Sequence, residues 1–182
     1  IFFSFVLVMM LLGKVKAQHN NPFGNALIPD MIADASIQEI NGVFYCYATT
    51  DGYGQGLKTS GPPVVWKSKD FVHWSFDGTY FPSAAKEKYW APSKAIFANG
   101  KYYIYPTING YMYPAVADKP EGPFKIDHIQ KTLPIQNDVT GDQTLFQDDN
   151  GKAYIICSSA NGRAYQYIIP LRESDFLDID EE

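Results

Sequence analysis

Three stretches of the chain alternate at a period of two, and each begins on an Asn-Gly pair: "NGVFYCYATT" from Asn41, "NGKYYIYPT" from Asn99 and "NGKAYIICSS" from Asn150. Each has a Tyr four places after the Asn (Tyr45, Tyr103, Tyr154) and a small hydroxyl residue eight places after it (Thr49, Thr107, Ser158). Period-two alternation puts successive side chains on opposite faces of a strand. Asn and Gly are the residues that tolerate the two positive φ angles of a type I′ turn, so each pair predicts an antiparallel hairpin. The short apolar runs upstream, "SIQEI", "KAIFA" and "TLFQDD", supply the first strand of each.

The turns begin at residues 41, 99 and 150, giving repeats of 58 and 51 residues. That is too long for a meander and right for one sheet of about four strands per repeat. Two more strands are expected in "PPVVWKSKDFVHWSFDG", broken near Ser68 to Asp70, and two in "YMYPAVADKPEGPFKIDH", broken at Asp118 to Gly122. Helical periodicity is confined to "LRESDFLDIDEE", since 14 Gly and 12 Pro interrupt the longer stretches. The expected fold is therefore all-β, a β-propeller of which about three blades are present. The blades are expected at about 25–80, 88–130 and 138–182, within a domain spanning 18–182. Three blades cannot close a ring, so a C-terminal part of the propeller is expected beyond residue 182.

Composition narrows the partners. With 46% hydrophobic and 19% charged residues the chain can build a sizeable core. A net charge of -5 argues against a nucleic-acid surface, which needs clustered cations. Aromatics at 15% suit strands and the flat apolar faces of sugar rings. The opening run "IFFSFVLVMMLL" is too short to span a bilayer, and Val15 and Ala17 in "GKVKAQ" provide small residues for cleavage. Residues 1–17 are thus expected to be a signal peptide clipped at its start, which implies a secreted or periplasmic protein with no membrane span. Cys46 and Cys157 fall at different places in the repeat and are expected to be free thiols buried in strands. The scattered His19, His73 and His128 make no metal-ligand spacing, so neither a metal site nor a required cofactor is expected.

In a propeller, equivalent positions of successive blades meet at one axial mouth. The segments just upstream of the Asn-Gly pairs carry Asp34 in "MIADAS", seven residues before Asn41, Trp90 in "YWAPS", nine before Asn99, and Asp142 in "TGDQTLF", eight before Asn150. Taken singly, either Asp is better explained as an Asx cap at a strand entry, and a Trp between blades is often core packing. Thr49, Thr107 and Ser158 end the second strands near the same mouth, where they serve either as donors to sugar hydroxyls or as small residues suited to crowding.

Five segments together, "NPFGNALIPDMIADASI", "SKDFVHW", "YWAPS", "AVADKPEGPF" and "GDQTLFQDDNGKAYI", resemble in order and spacing the N-terminal part of glycoside hydrolase family 43. The resemblance covers nearly all of residues 21–160. It implies a five-bladed propeller hydrolysing glycosidic bonds in plant cell-wall polysaccharide with inversion, as an α-L-arabinofuranosidase or β-D-xylosidase acting on arabinan, arabinoxylan or xylan. It also implies that Asp34 is the general base, that Asp142 tunes and orients the acid, and that Trp90 lies near the sugar. The chain has "ADAS" where the family usually has Asp-Pro. An inverting site needs one ionised and one protonated carboxyl about 6.5–9.5 Å apart, with water between them. A third carboxylate raises the acid's pKa by like-charge repulsion. The family's acid, a Glu opening the fourth blade, is expected beyond residue 182, so the chain alone is expected to be inactive. Glu121 is rejected as a substitute because it falls in a turn between outer strands. The resemblance leaves room for a structural calcium ion in the full-length protein. The alternatives are an endo-arabinanase, with an open groove, and a non-catalytic carbohydrate-binding propeller lacking the downstream Glu.

Overall fold

The computed structural model describes residues 28, 30–50, 60–82, 88–109, 111–126, 143–158, 166–173 and 180. Among them are fourteen strands and no α-helix. The first blade is an antiparallel sheet of β1 (Ile32–Ile40), β2 (Val43–Thr50), β3 (Val64–Ser68) and β4 (Trp74–Thr79), in sequence order. The second contains β6 (Ile96–Ala98), β7 (Lys101–Ile104), β10 (Ala115–Ala117) and β11 (Lys125–Ile126). A smaller sheet of β5 (Tyr89–Trp90), β8 (Thr107–Ile108) and β9 (Tyr111–Met112) extends its head. The third blade shows β12 (Thr144–Gln147), β13 (Ala153–Ser158) and β14 (Gln166–Pro170). The expected signal peptide and most of the C-terminal helix candidate lie outside the described residues.

Prolines divide the second blade. Pro92, Pro106 and Pro114 fall in the three gaps between its head and its body. Each lacks the N–H that a ladder needs, so pairing stops and resumes on the far side. On the first strand the interruption also shifts register: the path from Trp90 to Ile96 is two residues longer than the facing path from Tyr103 to Thr107.

Two of the three hairpins have the expected turn. Asn41 and Gly42 have φ of 52° and 77°, and Asn99 and Gly100 have 50° and 75°, so both pairs take the left-handed conformations of type I′. Asn150-Gly151 corrects the expectation, because only Gly151 is left-handed there, at φ 90°. The Asp148 carboxylate accepts the Asn150 and Lys152 N–H groups at 3.1 and 2.9 Å, while Gly151 N–H donates to the Asp148 carbonyl at 3.0 Å. A preceding Asp thus imposes a three-residue loop with a glycine bulge. In the "SKDFVHW" segment, Asp70 organises the β3–β4 turn by accepting the Val72 and His73 N–H groups at 2.9 and 2.7 Å. Its contact with the His73 ring, and then these backbone bonds, hold its carboxyl far below the usual range.

Blades stack through β7, whose side chains alternate between two cores. Tyr102 and Ile104 join Tyr45, Tyr47, Tyr80, Tyr89 and Phe124 between the first and second blades. Tyr103 and Tyr105 join Leu145, Ile155, Cys157 and Leu171 between the second and third. Ile104, Phe124, Leu145 and Ile155, fully removed from water, contribute about 1.5–3 kcal/mol each. Tyr47 packs edge-on against Tyr80 and Phe124, with centroids 5.1 and 6.4 Å apart, and donates its hydroxyl hydrogen to the Pro120 carbonyl at 2.6 Å. This contact fastens the β10–β11 turn, which includes Glu121, onto the first blade.

The outer face of the first blade carries an apolar row of cross-strand partners, Ile37, Cys46, Trp66 and Phe76. Phe76 is 56% exposed, and the Trp66 indole N–H is buried with no hydrogen-bond partner among the described residues. The third blade likewise exposes Phe146 and Ile168.

Cys46 and Cys157 are free and buried, and burial pushes both thiols up to about 11 from an ordinary 9.0. Burial also raises Tyr47, Tyr80 and Tyr89 far above the ordinary phenol range. A folded pKa above the unfolded one means that the unfolded state releases its proton first as pH rises. The thiol contribution to stability is expected to be complete below about pH 9 and lost as pH climbs through 11, with the tyrosines adding to the loss. Urea midpoints measured between pH 8 and 11 check this; a flat profile would contradict the burial of these groups.

Candidate active site

The first strands of the three blades converge. Residues of β1 (Gln38, Ile40), β6 (Phe97) and β12 (Gln147), with Lys94, line a cavity of about 440 Å³ at one end of these strands. Asp34 lies toward the other end of β1. Pairing runs Ala33 to Thr49 and then Ser36 to Tyr47, so Asp34 and Ala35 form a bulge opposite one residue of β2. Asp34 is exposed and takes φ 50°. An L-residue in that region costs about 1–2 kcal/mol, least for Asp and Asn, whose short polar side chains bond locally. Bulges re-aim side chains, and this one lifts a carboxylate out of the regular alternation.

The mouth is tied together across blades. Thr49, fully buried, accepts the Ala91 N–H on Oγ1 at 2.8 Å, and Ser36 Oγ donates to the Pro92 carbonyl at 2.9 Å. Ala91 is itself left-handed, at φ 39°, and directly follows Trp90, which is half-buried on β5 and paired with Thr107. Thr107 donates its hydroxyl hydrogen to Gln143 Oε1 at 2.9 Å. Gln143 Nε2 donates to the Ala91 carbonyl at 3.3 Å and to the Tyr105 carbonyl.

Asp34 and Trp90 are therefore brought to neighbouring segments of one mouth, while Asp142 lies outside the described residues. The described bonds of the Thr49 and Thr107 hydroxyls join blades to one another. Ser158 ends β13 half-buried and exchanges bonds with Gln166, the closer at 3.0 Å. Gln143 went unnoticed in the sequence; its only mark is an amide directly before an apolar strand. No group of three or more His, Cys, Asp or Glu able to hold a metal occurs among the described residues.

Stacked antiparallel sheets around converging first strands define the class as a β-propeller, with the exposed Asp34 on a strained bulge at the mouth. Residues 23–177 match Glycosyl hydrolases family 43, and the chain belongs to that family. A β-xylosidase from Xylanibacter ruminicola is 27% identical over 157 residues, covering 76% of this chain and 48% of that protein. A solved glycoside hydrolase structure is 68% identical, with a TM-score of 0.72 over 90% of this chain and 38% of that one. An α-L-arabinofuranosidase from Clostridium thermocellum ATCC 27405 is 27% identical, with a TM-score of 0.64 over 84% of this chain and 55% of that one. The chain spans about half the length of the curated relative it matches. Its fold is that of the five-bladed family enzymes, to which it supplies three blades.

Proposed function

We propose that this chain is the N-terminal part of an exported, inverting exo-glycosidase that releases xylose or arabinose from plant cell-wall polysaccharide, with Asp34 as the general base. The observation that carries this reading is the exposed Asp34 carboxylate, displaced by a left-handed bulge at the head of β1 beside the Trp90–Ala91 segment. Similarity to a β-xylosidase and to an α-L-arabinofuranosidase supports the choice of pentoses. In this scheme Asp34 takes a proton from water as that water attacks the anomeric carbon. A carboxylic acid from a later blade protonates the departing oxygen, and Asp142 raises the pKa of that acid.

The complete enzyme is expected to hydrolyse aryl β-D-xyloside or aryl α-L-arabinofuranoside and to release the sugar with inverted anomeric configuration, followed by proton NMR during early turnover. Retention of configuration would overturn the general-base role of Asp34, because a retaining site uses its second carboxylate as a nucleophile.

A further inference from the structure

We propose that Gln143 is a positioning residue of the sugar site, acting with Thr49 to clamp Ala91, and with it the adjoining Trp90, between the first and third blades; this rests on the saccharide reading above. Gln143 is 4% exposed and stands immediately before β12, yet every described bond of its side chain reaches into the second blade. Its orientation is determined by its neighbours. The Ala91 and Tyr105 carbonyls can only accept, so the amide NH₂ must face them and Oε1 must face the Thr107 hydroxyl.

The target of these bonds is a peptide that needs holding. Ala91 has φ 39° without being glycine, a conformation that persists only where the surroundings over-determine it. Its N–H is taken by Thr49 of the first blade and its carbonyl by Gln143 of the third. Gln143 also grips Thr107, the cross-strand partner of Trp90. Local ladder pairing cannot do this work, because Pro92 and Pro106 interrupt the strands just beyond Trp90 and Thr107. Thr49 in turn pairs with Ala33, next to the Asp34 bulge. One chain of contacts therefore sets the place of Trp90 relative to Asp34.

A residue that positions a sugar platform affects binding in ground and transition states alike, so its loss raises KM more than it lowers kcat. In the complete enzyme, Gln143→Leu and Thr49→Val are each expected to raise KM for the aryl glycoside about tenfold with kcat within about threefold. Thr49→Ser is expected to recover the loss. Acrylamide quenching of Trp90, isolated by difference from Trp90→Phe, is expected to increase in the two disrupting variants. Lowered thermal stability with KM and Trp90 quenching both unchanged would overturn the proposal and leave the network a purely structural tie. Should Gln143→Leu not fold, the Thr49 pair decides. If the parent enzyme binds xylose but does not turn over, the glycosidase reading fails by itself, and the quenching comparison still decides the clamp.

Discussion

Asp34→Asn in the complete enzyme is expected to lower kcat by about 10²–10⁴-fold, the usual worth of a positioned acid or base, with sugar binding retained. The substitution isolates chemistry from folding unusually well. Position 34 needs a residue tolerant of φ 50°, and Asn accepts that region at least as readily as Asp. Asn keeps the shape and a hydrogen-bonding oxygen but is not basic enough to take a proton from water. Loss of turnover therefore reports on the carboxylate itself. Asp34→Ala adds a backbone penalty of about 1 kcal/mol in the left-handed region, so its melting temperature should fall while that of Asp34→Asn holds. A kcat for Asp34→Asn within about threefold of the parent would refute the general-base role, since a base is worth at least about 10²-fold.

Gly122→Ala is expected to be the most damaging single methyl in the described chain. Gly122 sits at φ 85°, and a Cβ there would come 2.4 Å from the Tyr80 carbonyl oxygen and 2.9 Å from the Phe124 nitrogen. Those two atoms are themselves hydrogen-bonded at 2.8 Å, so the methyl would wedge into a backbone bond joining the first two blades. The left-handed penalty of about 1–2 kcal/mol and a lost hydrogen bond of about 0.5–1.5 kcal/mol sum to about 1.5–3.5 kcal/mol. For a chain of this size that is a fall of about 3–14 °C in Tm. Gly42→Ala is the control: its φ of 77° carries a similar backbone penalty, but nothing lies within 4 Å of the added carbon. Equal losses for the two variants would show that the close approach at Gly122 costs nothing.

The strands were legible in the sequence because their signals are local. Asn41-Gly42 and Asn99-Gly100 became the turns their residue types favour, and the alternation in "KYYIY" sent Tyr102 and Tyr103 into different cores. Asn150-Gly151 departed from its dipeptide because Asp148, two residues upstream, offered a competing acceptor. The break in the second blade was written in Pro92, Pro106 and Pro114, but their alignment emerges only once the register is known. At the candidate site, repeat position in the sequence singled out Asp34, Trp90, Thr49 and Thr107, and strand pairing sets Thr49 beside Ala33 and Thr107 beside Trp90. Repeat position could not say what those hydroxyls bind, because their partners, Ala91 and Gln143, come from other blades. The left-handed backbone of Ala91 was equally hidden, since bonds from other blades and not its residue type hold it.

The core between the first and second blades has a consequence for the order of folding. All of its described buried members lie between Tyr45 and Phe124, so a ribosome releasing the chain N-terminus first has released a packed unit before β12 is made. Each later blade then has a finished surface to condense on, and growth is vectorial. The Trp66 row is the exception, because it lies on the face of the first blade turned away from that direction of growth. The Trp66 indole N–H has no partner among the described residues and Phe76 beside it is exposed, so an arrested nascent chain should present to chaperones the oldest part of the molecule, the face of its first blade.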